Sequence, residues 1–400
     1  MKAIIITIII VAGTVSCRIL TENERSKIRT FDLKELPKIA NVKLSDLGFV
    51  DIEYIPLETN EQSAIGRFDL RSVTDRFIVG NNSYIIKQFN TILKFRDDGS
   101  FETKVGTLGR GPTEFQVAHD IDLDEENHKI YLVSGFQEKF NVYSETGEFV
   151  KTFMIPIHAP LQFRLNGSNI LCYLDNLQGN IENSFIVIDT LGRIIKNFPN
   201  KYPFTLNKKG ATGIGQENLF YQFNERLFTK EVYSDTIYVF DNMGFKPHIV
   251  IEVGDRLLTP EARSKFDLFY LAENFISPIH LFEFGDYLYY EYKYRIIPKS
   301  DNLLYGFLGS KKNDFQAFIN ADQGLINDLD GGPAIQPKTI KDDNTVISWT
   351  EAINIKKYVS SEAFKDSNPI YPEKKKELEK LANRLKETDN PVMIIIRLKQ

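Results

Sequence analysis

The sequence predicts an all-β fold, a six-bladed β-propeller, with seven blades as the alternative count. Three observations lead to it. Short runs rich in Val, Ile, Phe and Tyr alternate with Gly, Asn and Asp turns along most of the chain. Four of these runs align with one another: "ILKFRDDGSFETKVG" from residue 92, "FNVYSETGEFVKTF" from 140, "FIVIDTLGRIIKNF" from 185 and "IYVFDNMGFKPHIV" from 237. Their turn glycines, Gly99, Gly147, Gly192 and Gly244, follow one another at 48, 45 and 52 residues. A period near fifty with several strands in each repeat is that of a propeller blade.

The elements follow in chain order. Lys2, the apolar run "AIIITIIIVAG" and "TVSC" describe a secretory signal peptide over residues 1–16. The run is shorter than the roughly 20 residues that span a bilayer core. Ser16-Cys17 resembles a bacterial lipobox, in which the cysteine is lipidated, although Thr14 stands where leucine is usual. The expectation is a membrane anchor at Cys17, a polar tether over 17–38 and a single propeller domain over 39–400. The one other cysteine, Cys172, lies in the alternating "NILCYLD" and reads as a small buried hydrophobe.

Each aligned run is a hairpin whose turn glycine is expected to take positive φ. "RFIVGNNSYIIKQF" and "DIDLDEENHKIYLVSGF" supply the preceding strands of the first two blades. "GDYLYYEYKYRIIPK" with "NLLYGFLGS" reads as a fifth blade, and "PKTIKDDNTVISWTEAINIKKYV" as a sixth. Two small helical insertions are expected. One starts at an N-cap, Thr259, with Pro260 in its first turn, and runs through "EARSKFDLFYLAENF". The other, "PEKKKELEKLANRLKE", carries Leu378, Leu381, Ala382 and Leu385 at helical spacing as a packing face. The closing "NPVMIIIRLK" is an apolar strand that needs a partner. Pairing it with "FVDIEYIPLE" (residues 49–58) would close the ring.

With "YIPLET" (54–59), "KVGTLGRGPTEF" (104–115), "NHKIYLV" (127–133) and "DNPVMIIIRLK" (389–399) in view, the chain resembles the six-bladed β-propeller lipoproteins of Bacteroides-type bacteria. These are related in architecture to NHL-repeat and TolB-like propellers. The resemblance spans nearly the whole mature chain and implies a cell-envelope lipoprotein without implying an activity. Thr113 departs from the pattern, which usually has glycine directly after the proline.

The chemical motifs are few. Gly106-x-x-x-x-Gly111-Pro112-Thr113 imitates a phosphate-binding loop, but Pro112 replaces the lysine and removes a backbone N–H. It reads as a crossover between blades. Arg110 and Glu114 either pair with each other across that turn or face a ligand. "DIDLDEEN" (120–127) has alternate acids like a calcium loop, yet Glu125 and Tyr131 hold the positions that need glycine and glutamate. The five histidines show no ligand spacing, so neither metal nor cofactor is expected. In "DYLYYEYKYR" the tyrosines, Tyr290 and Tyr292 among them, either fill the core between blades or offer faces for sugar stacking. No Gly-x-Ser-x-Gly is present. A net charge of −5 without a basic block excludes nucleic acid as the main partner.

The reading is a lipid-anchored envelope propeller, periplasmic or surface-exposed, that binds a glycan, a peptide or an envelope protein. The alternative is a hydrolase or lyase acting on a glycan or envelope polymer from a channel site. An acid–histidine cluster at the channel mouth would favour the enzyme, and an apolar or aromatic rim would favour binding.

Overall fold

The computed structural model describes residues 28–35, 38–66, 69, 71–72, 74–155, 162–295 and 304–399. Six antiparallel sheets form a ring, a six-bladed β-propeller with few, small helices. The first strands of the blades, in order, are Arg76–Val79, Asp120–Asp124, Gln162–Asn166, Asn218–Phe223, Ser277–Phe284 and Thr339–Asp342. Neighbouring first strands touch between blades 1 and 2, 2 and 3, 4 and 5, and 5 and 6, and all six line one central cavity. Each later strand of a blade lies farther out.

Closure follows the expected pairing. Phe49–Pro56 joins Val392–Leu398 antiparallel, with Tyr54 opposite Ile394, and becomes the outer strand of blade 6. Ile394, Ile395 and Ile396 are thereby buried. Hiding this strand contributes roughly 25 cal/mol per Å² of apolar surface, which offsets the cost of ordering the N-terminal segment that covers it.

The expected tether enters the fold earlier than residue 38. Arg29–Asp32 pairs parallel with Gly244–Glu252 as a fifth strand on blade 4. Ile39 and Lys43 then bridge to Phe318 and Ile326 beside blade 5. One segment thus runs past the outer edges of blades 4, 5 and 6 in turn, pairing backbone groups that an open edge would expose. Phe31 and Leu33, buried in that segment, supply the apolar surface that holds it.

The first helical insertion is two helices, Pro260–Lys265 and Leu268–Asn274, because Asp267 caps a new start. Thr259 Oγ1 accepts from Ala262 N–H at 3.1 Å, as its N-cap position predicts. In blade 6, "AINIKKYV" is helix Ala352–Val359, where a strand was expected. Its Ala352 and Ile355, three residues and so about one helical turn apart, pack with Leu378, Leu381 and Ala382 of helix Pro372–Arg384 and with Leu385, its C-cap. The helical period of those apolar positions therefore serves helix-on-helix packing. Among the described residues no helix is long and apolar enough to cross a membrane.

Candidate functional site

The central cavity holds about 220 Å³. Its lining alternates along each first strand, so polar and apolar groups come in turn: Arg76 beside Phe77, Asp122 beside Ile121, Asn218 beside Leu219 and His280 beside Ile279. Lys338, at the start of blade 6, faces both this cavity and a groove of about 730 Å³ that also contains Arg71, Asp322 and the single tryptophan, Trp349.

Blades 1, 2 and 3 meet at Asp120, which is fully buried. Its carboxylate accepts from Arg76 Nε at 2.9 Å, Arg164 Nη1 at 2.9 Å and the Phe163 amide at 3.0 Å. Burial disfavours its charge, but the Arg164 and Arg76 guanidiniums outweigh that and hold the carboxyl below its usual range. Asp122, two residues on and so on the same strand face, accepts from the Leu165 amide at 2.7 Å. Burial, only partly opposed by Arg164, pushes its carboxyl up to about 6. The alternate acids of "DIDLD" are thus a clamp: they satisfy backbone donors of the neighbouring blade that have no strand partner there. Among the described residues no group of three or more His, Cys, Asp or Glu side chains could hold a metal ion.

Blades 3 and 4 contribute amides. Gln162 Nε2 donates to Gln216 Oε1 at 3.3 Å, and Asn218 Nδ2 donates to Gln162 Oε1 at 3.5 Å. Both are at the long end of hydrogen bonding. Thr229 Oγ1 donates to Asn218 Oδ1 at 2.6 Å and fixes that end of the ladder.

Blades 5 and 6 contribute His280 and Lys338. His280 lies opposite Glu291 in the strand pair of blade 5. Glu291 is fully buried and accepts from Arg71 Nε at 2.8 Å and from the Tyr289 hydroxyl at 3.1 Å. His280 Nε2 has no hydrogen-bond partner, and burial pushes its pKa down to about 4, so the ring is neutral at pH 7. Lys338 is only 7% exposed, and its ammonium makes no hydrogen bond or ion pair with any described residue. Burial, ahead of the opposing Glu291 charge, lowers its pKa. Among the described residues that line the cavity there is no serine or cysteine.

The residues singled out from the sequence lie elsewhere. Tyr290 and Tyr292 are buried, their rings 5.3 Å apart, with Tyr305 stacked on Tyr292 and Lys230 of blade 4 over Tyr290. They fill the core between blades and present no open face for a sugar ring. Arg110 is exposed, and no ion pair joins it to Glu114 among the described residues. Glu114 Oε2 instead accepts from the Gly111 amide at 2.7 Å. Gly106 N–H donates to Gly147 O and Gly109 N–H to Phe115 O. The loop's three glycine amides are therefore occupied, one of them by the protein's own carboxylate, where a phosphate cradle would hold them open. Lys139 Nζ donates to Glu114 O at 2.9 Å and pins this crossover to blade 2. Cys17 lies outside the described residues. Cys172 is a buried free thiol whose pKa burial raises.

No motif in the sequence marks Arg76, Arg164, Gln162, Asn218, His280 or Lys338. A partial signal exists: Arg76, Gln162 and Asn218 open their first strands and Lys338 directly precedes one, whereas Arg164 and His280 lie within theirs.

Comparison with known proteins agrees with the architecture. The family described as "Domain of unknown function (DUF4934)" matches residues 28–397. The crystal structure of a Bacteroides fragilis protein described as exported superposes with a TM-score of 0.64 at 15% identity, covering 93% of this chain and 100% of that one. A member of the DUF4221 family from Bacteroides vulgatus gives 0.50 at 11% identity, covering 88% and 97%. No curated protein matches the chain.

Proposed function

We propose that this chain, which belongs to the DUF4934 family, is an envelope binding module that takes a small polar ligand into the central cavity of its propeller. One observation carries the reading: six blades deliver charged and amide groups to one cavity, where His280 Nε2 has no hydrogen-bond partner and Lys338 makes no hydrogen bond or ion pair with a described residue. Buried polar groups are ordinarily satisfied, so donors left unpaired beside a cavity are what a ligand would complete.

Location outside the cytoplasm is supported by the signal-like start and by the exported description of the Bacteroides fragilis neighbour. Lipid attachment at Cys17 completes the reading. Cys17→Ala is expected to move the protein from the membrane to the soluble fraction, and unchanged fractionation refutes the anchor. A hydrolase or lyase is the second reading, favoured by the histidine and acids beside the cavity. Binding suits the site better: Glu291 is engaged by Arg71 and Tyr289, and Asp122 is the one carboxyl among the described lining residues, where glycoside hydrolysis takes a pair.

Thermal-shift and calorimetric screening of the full chain in detergent, with glycan fragments, peptides and ATP, tests the function. A ligand whose binding falls on cavity substitution supports it. ATP is expected to leave the melting temperature unchanged. Binding that is confined to surfaces remote from the cavity overturns the assignment.

A further inference from the structure

Resting on that reading, we infer that the ligand is a small polyhydroxylated carboxylate of the sugar-acid class. Its carboxylate would meet Lys338 and His280, and its hydroxyls the amide ladder of blades 3 and 4. Charge comes first. The cavity lining carries three fixed cations, Arg76, Arg164 and Lys338, against one carboxyl, Asp122. Asp120, behind the lining, is shared by Arg76 and Arg164. Lys338 makes no ion pair with a described residue: Glu291, the buried acid whose charge acts on it most, spends its oxygens on Arg71 and Tyr289, and Asp69 and Asp322 act on it from the groove. A buried ammonium that no carboxylate contacts directly is costly, and an anion entering the cavity reduces that cost.

Neutral polarity comes second. Gln162 and Asn218 each spend one amide N–H on a long hydrogen bond, which leaves the second N–H of each directed elsewhere. Gln216 Nε2 donates to none of the described groups, and the cavity exposes its residue. Amides that both donate and accept suit vicinal hydroxyls, which do the same. The volume is the third constraint: about 220 Å³ admits a single sugar-sized molecule.

The test uses the full chain in detergent. Glucuronate and galacturonate are titrated, with glucose, galactose, acetate and inorganic phosphate as comparisons. Trp349, the only tryptophan, sits in the groove next to Lys338 and reports by fluorescence. Calorimetry gives the affinities. The uronates are expected to bind more tightly than the neutral hexoses and than acetate. Lys338→Met is expected to weaken them about 10- to 100-fold, the worth of one charge-assisted hydrogen bond. Lys338→Arg keeps the charge and is expected to retain most of the affinity. Neutral hexoses binding as well as uronates, unaffected by Lys338→Met, overturn the charge assignment and leave the binding reading standing. Phosphate competing as well as the uronates overturns the sugar part. Uronates failing while a peptide or neutral glycan binds at the cavity sinks this inference alone. Failure of every compound sinks both.

Discussion

At the scale of single residues, the cavity is set by which charges are neutralised. Asp120 is matched by two guanidiniums and a backbone amide, so its charge is retained in the core. His280 is the opposite case: buried without a partner at Nε2, it stays neutral. Its pKa falls from 6.5 to about 4 on folding. Between those values the unfolded chain binds more protons than the folded one, so stability rises with pH there and is lost as pH falls from 6.5 towards 4. His280→Asn removes this contribution. Relative to the wild type, the variant is expected to gain a few degrees in melting temperature between pH 7.5 and pH 4.5. A difference that does not change with pH contradicts the assignment.

At the scale of elements, the blades are joined by a repeated contact at the hairpin turns. Gly99, Gly147 and Gly192 have φ of 84°, 84° and 83°. A Cβ at each would come within 2.3, 2.6 and 2.1 Å of the carbonyl oxygens of Pro56, Lys104 and Met154, where the previous blade's outer strand ends. Glycine is needed twice over, for the dihedral and for the close approach. Side chains repeat the join: Thr103 Oγ1 donates to Thr146 O, Lys151 Nζ to Thr190 O and Lys196 Nζ to Met243 O. Gly244 departs from the expectation. In that hairpin Asn242 and Met243 carry the positive φ, and Gly244 opens the next strand. Gly147→Ala is expected to cost more than the roughly 1–2 kcal/mol of a left-handed L-residue. Gly167→Ala, with φ of 59° and nothing within 4 Å, is expected to cost no more than that. Urea denaturation of the two variants makes the comparison; equal losses remove the interblade contact from the account.

At the scale of the whole molecule, the N-terminal segment is the fastening. It completes blade 6 and passes along blades 5 and 4 before the sheet closes. A chain beginning at Leu57 leaves Val392–Leu398 as an open apolar edge. It is expected to aggregate and to lose its single cooperative melting transition. A monomeric truncated chain that melts cooperatively would show that closure does not depend on this strand. The sequence by itself determined the six blades, three of the four aligned turns and the closing strand pair, because alternation and turn chemistry are written within about fifteen residues and recur. The tertiary structure alone decided where the N-terminal segment joins the body, which tyrosines are buried and which residues form the site. Those depend on contacts between blades: Lys338 and Gln162 are 176 residues apart yet line one cavity, and no local spacing encodes a ring's centre.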